Sequence, residues 1–236
     1  MGKRIIQQAR GHGSLSYQVK KYAYRFRVGY PSLGTQGVGK IVKFEDSPAH
    51  YAPLAKIDIN GKIFYNLAND GMYEGMTIVV GMAKNNGDIG TLNDIEVGSK
   101  IFNIELAPGD GGKYARTSGG YAVIIGKGKD AEVVLPSGKK IMMDLRCRAT
   151  IGIVSAAGRV EKPFVRAGNK HYLMKSKNKL WPRTSAVKMN VVDHPFGSGR
   201  GKNISHGRKG KIAKRNAPAG ARVGMLRPAR SGRKKK

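Results

Sequence analysis

Short stretches of alternating apolar and polar side chains recur along much of the chain. Residues 54–59 show this most clearly, with the two-residue period of a strand that has one buried face. Asn60 and Gly61 follow, and residues 62–66 continue with strand-forming side chains. An Asn-Gly pair between two such stretches favours a type I′ turn, because both positions need positive φ angles. The pattern therefore predicts a β-hairpin centred on Asn60 and Gly61.

Further short strands are predicted where apolar and β-branched residues cluster between turn residues. They are residues 39–44, 77–80, 100–104, 121–125, 132–135, 139–145 and 150–154. Pro136-Ser137-Gly138 is predicted to form the turn between two of them. Strands at this spacing are typical of small barrels or sandwiches, and not of a parallel sheet with crossover helices. The chain is therefore predicted to be all-β, with a first barrel at residues 38–98 and a second at residues 99–176.

Composition places the protein inside the cell. The 236 residues include 33 glycines, which favour short strands joined by tight turns, and a single cysteine, Cys147, which excludes an intramolecular disulfide. Gln7, Gln8 and Arg10 stand where a signal peptide would need an apolar core. The apolar stretches fall far short of the roughly 20 residues that span a bilayer. A soluble intracellular protein is expected.

The formal net charge of +29 is the strongest functional signal. Self-repulsion of this size disfavours a compact free chain unless a polyanion neutralises it. Nucleic acid is the favoured partner, because binding to a membrane surface would call for a basic amphipathic helix and none is evident.

The charge is unevenly distributed along the chain. Residues 1–44 contain nine Lys/Arg and no acid, residues 45–110 contain ten acids against four lysines, and residues 194–236 contain 14 Lys/Arg and no acid. A protein that coats DNA is expected to spread its charge more evenly. The acid-free ends are too poor in apolar residues to fold alone, so they are expected to order only against a partner. This predicts a basic N-terminal arm at residues 1–37 and an extended C-terminal segment at residues 177–236.

Motifs for catalysis are weak. Residues 34–40 match most of a phosphate-binding P-loop, but Ile41 occupies the position of the Mg²⁺-binding Ser or Thr, so a glycine-rich link that leads into a strand fits better. Asp193 and His194 are adjacent and lack a nearby activated nucleophile. The five histidines have no zinc-site spacing with Cys147, so no metal or cofactor is expected.

Two segments, both predicted as loops, combine cations with aromatic rings. Residues 109–116 contain glycines, two cations and Tyr114, which suits a folded phosphate backbone and one unstacked base. Residues 161–172 interleave cations with Phe164, His171 and Tyr172. Interleaving matters because cations follow phosphates while aromatic faces stack on bases. An ordinary exposed inter-strand loop remains the alternative for each.

Six sequence blocks, in this order, resemble the family of the universal large-subunit ribosomal protein two in its archaeal type. They are APGDGGK at 107–113, LPSG at 135–138, RCRATIG at 146–152, KPFVRAGNK at 162–170, MNVVDHPFG at 189–197 and KRNAP at 214–218. The similarity covers most of the chain and is strongest from about residue 107. Phe196 and the basic N-terminal arm are the archaeal features.

This resemblance implies an OB-fold barrel, then an SH3-like barrel, with extended basic ends. It also implies a structural constituent of the large ribosomal subunit in the cytoplasm that is not an enzyme. Such a protein would bind large-subunit (23S) rRNA and other ribosomal proteins, and would contact small-subunit rRNA at an intersubunit bridge, without binding a membrane. It would support subunit association, tRNA placement and the peptidyl transferase region, where RNA is the catalyst.

The residues expected to bind RNA combine the basic segments with the family motif around His194. They are Lys3, Arg4, Arg10, Lys113, Tyr114, Arg116, Arg146, Arg148, Lys162, Arg166, Asn169, Lys170, His171, Lys175, Lys177, Arg183, Lys188, Asn190, Asp193, His194, Arg200, Lys202, Arg208, Lys209, Lys211, Lys214, Arg215, Asn216 and Arg222. In this interpretation His194 supports RNA structure and is not a general base.

One departure from the family pattern is visible, and two other function classes stay open. Residues 185–188 are Ser-Ala-Val-Lys, where the family usually has Arg-Gly-Val-Ala, so a positive φ angle at Ala186 would be costly.

An enzyme would rest on the imperfect P-loop and on Asp193-His194. A free nucleic-acid chaperone or DNA-coating protein would share the charge but not the acidic block at residues 45–110.

Overall fold

The computed structural model describes residues 3–194, 196 and 197. Val19–Lys177 form one compact unit, and a second unit contains the described residues of Met1–Gln18 and Asn178–Lys236. Within the described residues, every strand lies in the first unit. The predicted all-β class is confirmed.

Ten strands form one continuous hydrogen-bonded sheet in the first unit. They are β1 (Gly37–Glu45), β2 (Leu54–Ile59), β3 (Lys62–Leu67), β4 (Thr77–Gly81), β5 (Ile89–Thr91), β6 (Lys100–Phe102), β7 (Ala122–Lys127), β8 (Ala131–Val134), β9 (Lys140–Met143) and β10 (Arg148–Ile151). Their order across the sheet is β3-β2-β1-β4-β5-β10-β6-β7-β8-β9. Neighbours are antiparallel except for β4 and β5, which pair in parallel over two residues. The pairing of β5 with β10 joins the first five strands to the last five.

Helices are short and few among the described residues. The α-helices are α1 (Ile6–Gly11) and α2 (Ala167–Ser176), and single 3₁₀ turns occur at Leu15–Tyr17, Lys21–Tyr24, Ala157–Arg159 and Ala186–Lys188. The last of these covers the departure from the family pattern, and Ala186 does not take a positive φ angle. None of the helices in the described part of the chain is long and apolar enough to cross a membrane.

The hairpin predicted from residues 54–66 is confirmed in register and turn type. Ile59 pairs with Lys62, which leaves Asn60 and Gly61 as the two loop residues. Their φ angles are 51° and 77°, both positive as a type I′ turn requires. The turn at Pro136-Ser137-Gly138 is also confirmed, because Leu135 donates to the Lys139 carbonyl at 2.9 Å and Gly138 has φ 80°.

Three apolar clusters stabilise the sheet. The first is built by β1, β2, β4 and β5, and the second by β6 to β10 with Leu92 and Ile95. The third contains Leu54, Phe102 and Val154, so it includes residues from both halves of the sheet. Burial of such side chains contributes about 1.5–3 kcal/mol each. The two halves therefore have separate cores and a shared one.

Part of the predicted N-terminal arm packs on this unit. Ala23 is fully buried, Val28 is 7% exposed, and the Tyr30 hydroxyl donates to the Asn103 carbonyl at 2.8 Å. Burial raises the pKa of Tyr30, so the phenol stays a neutral donor. The expectation that the arm orders only against a partner is therefore wrong for these residues, because their side chains are buried and hydrogen-bonded within the same unit as the strands.

In the segment that resembles a P-loop, close packing explains why position 39 is a glycine. Gly37 to Lys40 form the start of β1, as the simpler interpretation predicts. A Cβ on Gly39 would lie 2.7 Å from Ile59 Cγ1 and 3.0 Å from Ile57 Cγ2. The glycine allows β2 to pack closely and does not form a phosphate-binding loop.

Cys147 should resist alkylation in the folded protein. It is fully buried, and burial, together with nearby Asp144, Glu105 and Asp110, raises its pKa to about 11. Against an ordinary value of about 8.5, this lowers the thiolate fraction at neutral pH by roughly 10²–10³-fold. We expect very slow reaction with iodoacetamide in buffer and rapid reaction in denaturant, measured by mass spectrometry. Equal rates in the two conditions would contradict this burial.

Candidate nucleic-acid interface

A buried carboxylate organises the glycine-rich loop after β6. Glu105 is fully buried and accepts hydrogen bonds from the backbone N–H groups of Gly109 at 3.2 Å, Gly111 at 3.0 Å and Arg148 at 2.9 Å. The Arg148 guanidinium adds bonds from Nη2 at 2.8 Å and Nε at 3.2 Å. Burial by itself raises the pKa of Glu105, but the hydrogen bonds from Arg148 and Gly111 outweigh it and leave the pKa below its ordinary value. Glu105 is therefore ionised, and its hydrogen bonds fix the positions of the loop and of Arg148.

A second carboxylate, Asp110, closes the same loop. It accepts from the backbone N–H groups of Leu106 at 3.1 Å and Gly112 at 3.0 Å, and it pairs with Lys113 at 3.1 Å. Burial by itself raises its pKa, and these bonds lower it below its ordinary value. The loop's backbone donors thus bind carboxylates of the protein. The backbone N–H groups of Gly109, Gly111 and Gly112 are therefore occupied within the protein.

The predicted RNA-binding residues near this loop have different environments. Tyr114 is partly buried and packs against the second apolar cluster. Arg148 is 7% exposed, and its guanidinium also donates to the Pro31 carbonyl at 2.7 Å and lies 5.2 Å from the Tyr30 ring centre. Arg148 therefore acts inside the protein. Lys113 and Arg116 stay accessible, and the exposed Arg146 forms a surface pair with Asp144 at 2.7 Å.

A groove of about 720 Å³ lies beside Lys113 and Arg116. Its other walls come from the N-terminal arm, from the connection between β1 and β2 and from the glycine-rich loop: Tyr24, Phe26, Arg27, Val28, Ala49, His50, Tyr51, Asp110 and Gly112. This aromatic and basic groove is not among the sites predicted from the sequence. The signal is visible in residues 21–27, Lys-Tyr-Ala-Tyr-Arg-Phe-Arg, which interleave cations and rings as residues 161–172 do.

The basic segment from residue 160 to residue 177 lies largely on the surface. Its exposed apolar side chains include Val160 (71%), Val165 (84%) and Tyr172 (71%), and no residue of α2 is buried. The predicted loop at residues 161–172 is therefore half wrong, since α2 begins at Ala167. With no buried stripe, the helix leaves no periodic apolar pattern in the sequence. Apolar side chains exposed among cations are typical of a surface that a partner covers.

The predicted site residues of this segment are mostly accessible. Lys162, Arg166, Asn169, His171 and Lys175 are exposed, and Lys170 is partly buried. Lys177 is an exception. It is 6% exposed, and its Nζ lies 2.8 Å from the Tyr51 ring centre.

His194 sits in a compact turn of the second unit. It is 8% exposed, its ring Nδ1 accepts from the Phe196 backbone N–H at 3.1 Å, and the backbone N–H of His194 donates to the Asn190 carbonyl at 3.1 Å. A Cβ on Gly197 would overlap the Asn190 carbonyl, so this turn needs glycine there. Burial lowers the pKa of His194. A neutral ring whose Nδ1 accepts must carry its proton on Nε2, so His194 presents a donor.

The remaining predicted residues of this unit lie around that turn or outside the described chain. Lys3, Arg4, Arg10, Arg183, Lys188, Asn190 and Asp193 are all exposed. Lys3 donates its backbone N–H to the Val192 carbonyl at 2.8 Å and pairs with Asp193 at 3.7 Å. Arg200, Lys202, Arg208, Lys209, Lys211, Lys214, Arg215, Asn216 and Arg222 lie outside the described residues, as does most of the predicted C-terminal segment. No cluster of three potential metal ligands occurs in the described part of the chain.

Comparisons with known proteins give matches over the whole length of the chain. The family model described as "Ribosomal Proteins L2, C-terminal domain" matches residues 85–216. Among curated proteins, "Large ribosomal subunit protein uL2" of Korarchaeum cryptofilum is 39% identical over 244 residues, covering 100% of this chain and 98% of the relative. Proteins of the same name from Natronomonas pharaonis (40%, covering 99% and 97%) and Methanoregula boonei (41%, covering 100% of both chains) are similar.

Proposed function

The chain belongs to the uL2 family of large ribosomal subunit proteins, and we propose that it is built into the archaeal large subunit by binding 23S rRNA. It is a structural protein of translation and not an enzyme. The observation that carries the proposal is identity of 39–41% to such proteins over essentially the whole chain. Its place in the cell is then the ribosome in the cytoplasm.

The exposed cations of the described chain support rRNA as the partner. Lys162, Arg166 and Lys175 have high accessibility beside exposed apolar and aromatic side chains. Such a surface can neutralise phosphates and cover unstacked bases together. We place the RNA-binding role on the accessible residues predicted from the sequence, and not on the buried Arg148 or Lys177.

A finer fold assignment accompanies this proposal. Strands β1 to β5 have their own apolar cluster and would form the OB-fold barrel of residues 38–98. Strands β6 to β10 surround the second cluster and would form the SH3-like barrel of residues 99–176. The C-terminal end, residues 177–236, would be the segment that reaches furthest into rRNA. Subunit association, tRNA placement, other ribosomal proteins and a small-subunit rRNA bridge are the further partners and roles that this family implies.

Cosedimentation tests the proposed function directly. The full-length protein, mixed with large subunits that lack their own copy and with an excess of bulk DNA, should sediment with the subunits at moderate salt. Distribution over the DNA would favour a nucleic-acid chaperone instead. Measurable turnover of nucleotides by the isolated protein would favour an enzyme.

Replacing His194 should separate an RNA-structural role from general-base catalysis. Because Nδ1 accepts from the Phe196 N–H, the neutral ring carries its proton on Nε2, and an RNA acceptor would bind the ring there. His194→Gln keeps an N–H donor and should largely preserve peptide-bond formation by fully assembled subunits, while His194→Ala should weaken assembly or local RNA order. Exposed His12 provides the matched control, His12→Gln. Loss of about 10²–10⁴ in the chemical step of assembled His194→Gln subunits, with unchanged RNA probing, would contradict the structural role.

A further inference from the structure

The aromatic walls of the groove beside Lys113 form a corner suited to a flat ligand. The rings of Tyr24 and His50 meet nearly edge to face, with centres 5.1 Å apart and planes at 88°. Tyr24 is 52% exposed, so its ring is accessible from the groove. Phe26 stacks on Tyr65 at 4.6 Å and is thereby fixed in the wall. A planar ring could stack on one side of this corner and meet a polar edge on the other.

The charges around the corner favour an anion. Arg27, Lys113 and Arg116 line the groove, and the single lining acid, Asp110, is already bound by Lys113 and by backbone N–H groups. Arg116 donates to the Gly112 carbonyl at 3.0 Å, which holds its guanidinium at the groove. Burial and then the neighbouring cations Arg116 and Lys177 lower the pKa of His50, so its ring is neutral in this basic setting. Aromatic faces and cations thus occur together, as in sites for single-stranded nucleic acid.

The groove also has room for a nucleotide. Its volume of about 720 Å³ falls within the roughly 300–1,000 Å³ of pockets that hold small organic ligands. A base in a duplex could not enter the corner, because both of its faces are covered by stacking. An unstacked base of a loop or bulge could do so while its phosphates remain outside near the cations.

We propose that this groove binds a single-stranded segment of RNA, with one unstacked base in the corner of Tyr24 and His50 and the flanking phosphates at Arg27 and Arg116. The proposal rests on the proposed function, since it names the kind of rRNA segment that one surface takes. It adds Tyr24, Arg27 and His50 to the predicted RNA-binding residues.

The test uses the full-length protein and two RNA probes. One is a single strand of about eight adenosines, within the ~4–16 nucleotides of such sites, with 2-aminopurine near its centre. The other is a duplex of similar length and mixed sequence. Variants are Tyr24→Leu, which removes the ring, Tyr24→Phe, which keeps it, and Arg27→Gln. The matched controls are Tyr73→Leu, an exposed tyrosine outside the groove, and Lys62→Gln, an exposed cation on β3. Circular dichroism melts establish that each variant folds.

The wild-type protein and Tyr24→Phe should quench 2-aminopurine on saturation. Tyr24→Leu should lose most of this quenching and bind the single strand about 5- to 100-fold more weakly, with duplex binding unchanged. Arg27→Gln should bind the single strand more weakly with quenching retained, and both controls should behave as wild type. If Tyr24→Leu unfolds, Arg27→Gln against Lys62→Gln decides the question.

Two results would overturn the groove assignment while leaving the proposed function intact. One is equal single-strand binding by Tyr24→Leu and Tyr73→Leu. The other is displacement of the RNA by an oligoglutamate peptide at lower concentration than by unlabelled RNA, which would assign the groove to an acidic protein segment. If the wild-type protein binds neither probe and also fails to cosediment with large subunits, the proposed function itself is contradicted.

Discussion

Glu105→Gln should lower the free energy of unfolding by about 3–5 kcal/mol. The substitution keeps the shape of the side chain but removes the charge that Arg148 binds, with side-chain exposures of 0% and 8% for the pair. A buried guanidinium without its counterion costs far more than the loss of one neutral hydrogen bond. The amide NH₂ group would also face backbone donors that now bind a carboxylate oxygen.

The effect should depend on pH in a definite direction. The pKa of Glu105 is lowered in the folded protein, so its stabilising contribution is fully present above the ordinary value of about 4.3. That contribution is lost as pH falls through the lower folded pKa. The difference in unfolding free energy between wild type and Glu105→Gln should therefore shrink on acidification.

Urea denaturation followed by circular dichroism measures both quantities. Asp144→Asn is the matched control, since Asp144 also pairs with an arginine but on the surface. It should leave the denaturation curve nearly unchanged, because solvent screens exposed pairs. Equal destabilisation by the two substitutions, or a Glu105→Gln effect independent of pH, would contradict the role given to the buried pair.

Local sequence patterns were sufficient where neighbouring residues determine the structure. The hairpin at Asn60 and Gly61 follows from φ preferences and two-residue alternation, both local properties. Strand β5 was missed because it has three residues and pairs in parallel with β4 only over two. Such a strand is fixed by its tertiary neighbours and leaves too short a pattern to identify.

The candidate site was harder to predict, because its residues come from distant parts of the chain. Lys113 and Arg116 were found from their loop, but Tyr24 and His50 lie at the groove only through folding of the arm and of the β1 to β2 connection. Arg148 shows the opposite error. Its charge alone suggests RNA binding. In the fold, however, its guanidinium is bound by the buried carboxylate of Glu105, which lies 43 residues earlier in the sequence. Composition indicates how much charge is available but not which charges are already paired.

Affinity for large-subunit rRNA should fall by about 10³- to 10⁵-fold between 50 and 200 mM salt if 6–10 phosphates are contacted. Each phosphate neutralised by Lys or Arg releases counterions, and salt opposes that release. Filter binding of the full-length protein over a salt series gives the slope of log affinity against log salt. A nearly flat dependence would remove the electrostatic basis of the proposed function.

The position of the charge can be tested by two variants that lose the same four positive charges. One replaces Lys202, Lys209, Lys211 and Lys214 of the acid-free C-terminal segment with Gln, and the other replaces Lys56, Lys62, Lys84 and Lys100 of the acidic block. If the C-terminal lysines contact phosphates, the first variant should reduce the steepness of the salt slope by about three, at roughly 0.7–0.9 per contact. The second should leave the slope unchanged, because lysines among ten acids add little positive potential. Equal losses would mean that total charge alone governs binding. A loss confined to the first variant would establish that the uneven distribution of charge along the chain is what directs this protein to RNA.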